Sequence, residues 1–145
     1  MSIVETKTCD MARLFFLWGC LLLVSGALAQ SAPAGAYISW ETDNHDFGDI
    51  TEGDKIEHVY KFTNSGTQPL IITNIEVTCG CTTPKGWPRD PIHPGGKGEF
   101  TVAFNSAGKA GRLTKVVRVI SNATNANNQV TFTATVQEKK EKVGQ

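Results

Sequence analysis

Apolar and polar residues alternate along much of the second half of this chain. Residues 130–136 (VTFTATV) place an apolar side chain at every second position and a threonine between each pair. Residues 100–104 (FTVAF) show the same period of two. Since neighbouring side chains of a strand point to opposite faces, this period is that of a strand with one buried face. We therefore predict half-buried strands at both places.

A further strand is predicted over residues 56–63 (IEHVYKFT). Ile56, Tyr60 and Phe62 fall on one side of it, and Glu57, Lys61 and Thr63 fall on the other. The next three residues, Asn64-Ser65-Gly66, are typical of a turn. The stretch therefore predicts a strand that is followed directly by a reversal of the chain.

Residues 70–78 (LIITNIEVT) are rich in β-branched residues, which favour strands. A strict alternation predicts that Ile71, Ile75 and Val77 share the buried face. Residues 113–120 predict another strand, whose two faces the pattern does not separate. Residues 84–94 contain four of the six prolines and predict a loop.

These elements predict an all-β fold, namely a single immunoglobulin-like β-sandwich of about seven strands. No stretch between residues 30 and 145 shows a helical period. The Cys…Trp…Cys spacing of antibody domains is absent, so no disulfide between the sheets is expected. We place the sandwich at residues 37–137, after a flexible linker at 30–36 and before a charged C-terminal tail at 138–145.

The first 29 residues have the composition of a signal peptide. A start that carries Lys7 and Arg13 precedes an apolar run from residue 14 to 29, which ends in small residues. The run is shorter than the roughly 20 residues that a spanning helix needs. We therefore predict cleavage after Ala29, export to the periplasm or cell envelope, or secretion, and no membrane span in the mature chain.

Cys20 offers an alternative end for this leader. A lipoprotein signal also ends its apolar segment at a cysteine, which would then be lipidated. Trp18 is bulky for such a signal, and seven apolar or small residues follow Cys20. These features favour cleavage after Ala29 over lipidation at Cys20; an uncleaved N-terminal anchor is the remaining alternative.

Charge excludes two classes of partner. The chain has 14 basic and 14 acidic residues, and the leader contains two of each, so the mature chain is also neutral. A neutral chain has neither the basic surface that nucleic acid attracts nor a polybasic segment for anionic lipid. Without the leader only Cys79 and Cys81 remain, in a compartment where disulfides persist.

Several short motifs together resemble a known bacterial family. They are Asp46-Phe47-Gly48, Asn64-Ser65-Gly66, Cys79-Gly80-Cys81-Thr82, Pro91-Ile92-His93-Pro94-Gly95 and Ser121-Asn122. Their combination and order are similar to the family known as domain of unknown function 1573. The resemblance covers about residues 45–136, and it implies an exported immunoglobulin-like domain, akin to major sperm protein. It implies no activity, because the family has none firmly assigned.

Cys79 and Cys81 are the main candidates for chemistry. On one extended strand their Cα atoms would lie about 6.5–7 Å apart, at the upper limit for a disulfide, unless Gly80 bends the chain. A bridged pair could be redox-active, since strained disulfides are labile. Two thiolates could instead bind soft copper or zinc. The third interpretation is structural: the pair supports the corner between strand and loop.

Trp87 is the other candidate, because a large apolar residue in a loop can anchor an interface. The alternative, which we favour, is that it folds back over one end of the sandwich. We find no Ser-His-Asp arrangement, no phosphate-binding loop and no paired carboxylates. The sequence therefore predicts a protein that is not an enzyme and has no cofactor, and that binds another envelope protein; a thiol-based role of Cys79 and Cys81 is the alternative.

Overall fold

The computed structural model describes residues 31–125 and 128–139, so the predicted leader lies outside them. Eight strands form the described part, one more than the sequence predicts. They are β1 (Ile38–Trp40), β2 (Asn44–Thr51), β3 (Lys55–Asn64), β4 (Ile72–Val77), β5 (Thr82–Lys85), β6 (Lys97–Asn105), β7 (Gly111–Ser121) and β8 (Gln129–Gln137).

The strands form two four-stranded sheets that pack face to face. The first sheet has the order β1-β3-β6-β5 and the second the order β2-β8-β7-β4. All neighbours are antiparallel except β2 and β8, which run parallel. The all-β class and the immunoglobulin-like β-sandwich are thereby confirmed.

The alternation in the sequence correctly predicts the buried faces of β3, β6 and β8. Tyr60, Phe62, Phe100, Phe104 and Phe132 are almost entirely buried between the sheets. These rings pack edge to face or stacked, with centroids 5.4–5.7 Å apart in the pairs Tyr60–Phe100 and Phe104–Phe132. Such aromatic packing accounts for much of the apolar area that the sandwich buries.

The buried face predicted for residues 70–78 is wrong at Ile71, just before β4. Ile71 is 40% exposed, whereas Ile72 and Ile75 are buried. The register with β7 shifts between Ile72 and Asn74, so one extra residue sits in this strand. Because a bulge reverses the alternation locally, two isoleucines three positions apart both point inward.

The loop predicted from residue 84 begins later than expected. Pro84 lies within β5 and is paired with Val102 of β6. Proline lacks an N–H, but an edge strand needs hydrogen-bonding groups on one side only. β5 is such an edge strand, and the exchange of hydrogen bonds with β6 therefore tolerates Pro84.

The end of the predicted linker belongs to the folded domain. Ala36 is buried in the core and forms a bridge with Ala123. The carbonyl of Gly35 accepts hydrogen bonds from the backbone N–H groups of Thr67 and Gln68. The fold therefore starts at least two residues before position 37. The part of the chain that the structure describes contains no helix long and apolar enough to cross a membrane.

Candidate functional site

The cysteine pair lies at the corner where the chain passes from one sheet to the other. β4 belongs to the second sheet and β5 to the first, and residues 78–81 connect them. The N–H of Thr82 donates to the carbonyl of Cys79, and the N–H of Asn105 donates to the carbonyl of Cys81. The two cysteines are thus tied to β5 and β6 through their backbone.

Cys79 and Cys81 form a disulfide. Their Sγ atoms are 1.99 Å apart and their Cα atoms 5.3 Å apart. The extended geometry assumed from the sequence does not apply, because β4 ends at Val77 and a turn follows. The bend does not depend on a left-handed glycine, since Gly80 has no positive φ.

The Thr82 side chain next to the disulfide does not activate it as a reactive thiol pair. Because bridged sulfurs carry no proton, the Thr82 hydroxyl is the donor in its 3.6 Å contact with Cys79 Sγ. Reactive cysteines are activated by cationic neighbours or a helix N-terminus, and Thr82 is neutral. In residues 31–125 and 128–139 no group of three or more potential ligands could hold a metal ion. The arrangement fits a structural corner.

Replacing both cysteines by serine is expected to lower the free energy of unfolding by about 1–2 kcal/mol. The bridge closes a loop of only three residues, so it removes little entropy from the unfolded chain. Urea denaturation of the Cys79→Ser, Cys81→Ser double variant measures the effect. Wild-type protein in a strong reductant should lose a similar amount, and a loss above about 4 kcal/mol would contradict the small-loop argument.

Trp87 is half-buried and packs against the core, as the favoured interpretation predicts. The guanidinium of Arg89 lies 4.1 Å from the centroid of its ring, within the range of a cation–π interaction. Its indole nitrogen is buried, without a hydrogen-bond partner among the described residues. Trp87 follows the disulfide along the chain and packs against the core rather than extending into solvent.

Two of the other sequence motifs, the Asn-Ser-Gly turn and the proline-rich loop, meet at one buried residue, Asn64. Its side-chain amide donates to the carbonyls of Gln68 and Ile92, both at 2.8 Å. Its carbonyl oxygen accepts from the N–H groups of Tyr37 and Gly66. Asn64 thereby joins the Asn-Ser-Gly turn to the proline-rich loop and to the start of β1. We call this hydrogen-bonded group, centred on Asn64, the asparagine latch; its role is structural.

A pair of stacked histidines, which sequence reasoning missed, joins the two sheets at another place. His45 of β2 and His58 of β3 have parallel rings, with centroids 3.6 Å apart and an interplanar angle of 12°. Burial lowers the pKa of His58, and the charge of His45 lowers it further. The alternation in residues 56–63 places His58 on the same side as Ile56 and Tyr60. Nothing in the sequence indicated that His45 would contact His58 from the other sheet.

The free edges of the sheets decide where another chain can pair. β1 has only three residues, and its edge is blocked at Ile38, because the side chain of Asn125 accepts from the N–H of Ile38 and donates to its carbonyl. β5 is short and contains Pro84. β2 is interrupted between Asp46 and Asp49, whose charges also oppose pairing.

β4 is the most open of the four edge strands. It pairs with β7 alone, and no backbone hydrogen bond reaches residues 73–77 from any other described strand or loop. Ile71, just before β4, is one of two large apolar side chains that are clearly exposed among the described residues; Val59 is the other. An unpaired backbone edge beside an exposed isoleucine is suited to strand addition.

The two sheets and the disulfide corner between them define an immunoglobulin-like β-sandwich module. Domains of this architecture are typically non-catalytic. The chain belongs to the family described as Protein of unknown function (DUF1573), whose model matches residues 38–136. The resemblance found in the sequence is thereby confirmed.

Solved structures show the same fold at low identity. A protein of unknown function from Porphyromonas gingivalis W83 is 18% identical, with a TM-score of 0.57, over 77% of this chain and 51% of its own. The seventh PapD-like (ASH) domain of human CEP192 is 11% identical, with a TM-score of 0.54, over 77% of this chain and 93% of its own.

The chain thus spans about half the length of the Porphyromonas protein. The secreted serine protease VesC from Vibrio cholerae has a TM-score of 0.50 and 15% identity, over 70% of this chain and 23% of its own. No curated protein matches the chain. Together these similarities establish the β-sandwich fold. The function has to be inferred from the residues of the site.

Proposed function

We propose that this protein is an exported, non-catalytic module that binds another protein of the cell envelope. The partner contributes an extended segment, which pairs with the free edge of β4. The observation that carries the proposal is the open backbone edge at residues 73–77, flanked by the exposed side chain of Ile71. No cofactor takes part.

The exposed side chain of Ile71 is what makes this edge different from the others, since β2 also has a break in its register. The bulge in β4 turns Ile71 outward while Ile72 and Ile75 stay in the core. A strand that pairs with β4 gains main-chain hydrogen bonds along the edge, and one of its apolar side chains can cover Ile71. The exposed side chains of β4 itself are polar and uncharged, apart from Glu76. The expected partner segment is therefore extended and uncharged at its centre, with an apolar residue opposite Ile71.

Export is supported by two features. The leader at residues 1–29 has the composition of a signal peptide. The bond between Cys79 and Cys81 suits an oxidising compartment, where such bridges persist. Cell fractionation with intact-mass measurement tests this proposal: a periplasmic, surface-bound or secreted chain that starts at Gln30 is expected, and a full-length cytoplasmic chain would contradict it.

Ile71→Lys is expected to weaken partner binding about ten-fold or more, which corresponds to about 1.4 kcal/mol. A lysine removes the apolar contact and places a charge beside the pairing edge. Val59→Lys is the matched control, because Val59 is equally exposed (42% against 40%) but lies on β3, in the interior of the first sheet. A photo-crosslinking amino acid at position 74 identifies the partner in cells, and the dissociation constants are then measured with both purified proteins.

The two variants separate the proposed site from general surface effects. If Val59→Lys weakened binding and Ile71→Lys did not, the partner would bind the outer face of the first sheet, and the β4 proposal would be wrong. A crosslink at position 57 but not at position 74 would lead to the same conclusion. The thiol-based alternative is tested by the double serine variant, which should retain partner binding if the disulfide is only structural.

A further inference from the structure

We propose that the stacked pair His45–His58 is an acid-sensitive contact that holds the start of β2 against the first sheet and releases it when both imidazoles are protonated. The contact joins strands of different sheets, since β2 pairs with β8 and β3 pairs with β6. It lies at a different strand from the proposed partner edge and does not depend on that proposal.

Aromatic rings surround the pair and keep the two imidazoles in register. Phe47 meets the ring of His45 edge-on at 4.6 Å, and Tyr60 meets the ring of His58 edge-on at 4.7 Å. Phe47 also packs on Phe132 of β8, at 5.6 Å. The stack is therefore the outer end of the aromatic core, and a change in its charge acts directly on that packing.

Few charges are near enough to compensate a second proton. The strands behind the pair present Phe132 of β8, opposite His45, and Val102 of β6, opposite His58. Neither imidazole forms an ion pair or a side-chain hydrogen bond within the described part of the chain. The ionisable groups nearby are Asp43 just before β2, Asp46 on β2, Tyr60 on β3 and, beyond Asp46, Arg112 on β7.

Those nearby groups do not neutralise His58. The carboxylate of Asp46 accepts from the N–H of Gly48, and this hydrogen bond, with one from Thr133, lowers the pKa of Asp46. Asp46 therefore stays ionised throughout the range in which histidines titrate, and the charges of Arg112 and His45 lower its pKa further. Tyr60 stays neutral, because burial first and the charge of Asp43 second raise its pKa. Its hydroxyl donates to the carbonyl of Thr131.

The sign of the pH effect follows from the lowered pKa of His58. An open or unfolded His58 takes up a proton at about pH 6.5, and the packed one only at lower pH. The closed form is therefore fully favoured above about pH 6.5, and this advantage is lost as the pH falls from there through the pKa of the packed histidine. Two imidazolium rings at the observed 3.6 Å separation would repel each other.

The start of β2 is the element that can respond. Its ladder with β8 is broken between Asp46 and Asp49, so residues 44–46 are held separately from residues 49–51. Release of the first part uncovers Phe47 and one side of Phe132, and it frees the edge of β8. At acid pH the molecule would thus present a second apolar edge, on the side of the sandwich opposite β4.

Hydrogen exchange of the whole protein at about pH 7.5 and about pH 5.0, corrected for the intrinsic rate at each pH, tests this inference. Protection of the amides of residues 44–47 should fall roughly ten-fold or more at the lower pH, the size of effect that one charge repulsion inside a protein produces. Protection of residues 72–77 in β4 should not change. Equal protection of residues 44–47 at both pH values would overturn the proposal.

Variants of single histidines identify the group responsible. His58→Gln and His45→Gln should each abolish the pH response of residues 44–47, whatever protection they show at pH 7.5. His93→Gln is the control, because His93 is exposed in the loop after β5 and should leave the response intact. A response that persists in both stack variants, or that disappears in His93→Gln, would show that another group titrates and that the stack is not the sensor.

Discussion

Gly66→Ala is expected to destabilise the domain by more than about 3 kcal/mol, the upper range for overpacking a core. Gly66 is buried where the backbone of residues 35–37 crosses the Asn-Ser-Gly turn. A Cβ there would overlap the carbonyl oxygen of Gly35, lie 2.6 Å from the nitrogen of Tyr37 and lie 2.9 Å from the carbonyl carbon of Ala36. All three atoms belong to the backbone, so no rotamer change can make room.

Thermal unfolding measures this effect, and a decrease of more than about 12 °C in Tm is expected for a domain of this size. Gly80→Ala is the matched control: a Cβ at Gly80 meets no atom within 4 Å, and Gly80 has no positive φ. Gly80→Ala should leave Tm within a few degrees of wild type. If Gly66→Ala unfolded at the same temperature as Gly80→Ala, residues 35–37 would not cross the turn as described.

Asn64→Ala is expected to cost about 4 kcal/mol. The side chain of Asn64 is fully buried (0% exposed) and makes four hydrogen bonds to backbone groups. Its removal leaves two carbonyls and two N–H groups without this partner, and an unsatisfied buried group costs about 1–3 kcal/mol. The estimate is below the sum of four such costs, since water can enter the space and replace some of the bonds.

Asn64→Asp removes the hydrogen-bond donor of this side chain but keeps its shape. The aspartate has nearly the same size and can still accept from Tyr37 and Gly66, but it cannot donate to the carbonyls of Gln68 and Ile92. It also places a charge in the core, and it should destabilise at least as much as alanine. Asn74→Ala, on the exposed face of β4, is the control and should change the free energy of unfolding by less than about 0.5 kcal/mol. A small effect of both Asn64 variants would contradict the structural role of the asparagine latch.

Most of the sequence motifs are thus explained by backbone contacts. Asp46 caps the turn at Gly48, and Asn122 accepts from the N–H of Ile71 and donates to the carbonyl of Pro69. Asp46 satisfies a polar group at the break in β2, and Asn122 and Asn64 do so where the chain leaves a sheet. This result explains why the motifs predicted the family and the fold without predicting an activity.

The strands of the core could be predicted because burial on one face imposes a period of two on the sequence. β3, β6 and β8 follow this period without interruption. β4 does not, since the extra residue between Ile72 and Asn74 reverses the alternation, and nothing local in residues 70–78 marks that position. β5 was missed because Pro84 argues against a strand unless the strand is known to lie at an edge.

The candidate sites depended more strongly on the tertiary structure. Cys79 and Cys81 were identified by their spacing, but whether they were bridged depended on the turn that follows Val77. Trp87 was left with two interpretations, an interface anchor or a side chain folded back over the sandwich, and the structure shows it partly buried against the core. His45 and His58 lie 13 positions apart on strands of different sheets, so local patterns gave no reason to place their rings in contact.

The sequence by itself determined the all-β class, the sandwich, the family and the identity of the thiol pair, because alternation, turn residues and short motifs are local properties that a chain displays without being folded. Only the tertiary structure decided which edge stays open, which isoleucine of β4 is exposed, and that Asn64 and the two histidines meet residues of distant strands. Those properties arise when two sheets pack, because the packing brings together groups that are far apart along the chain and fixes which hydrogen bonds remain unmade.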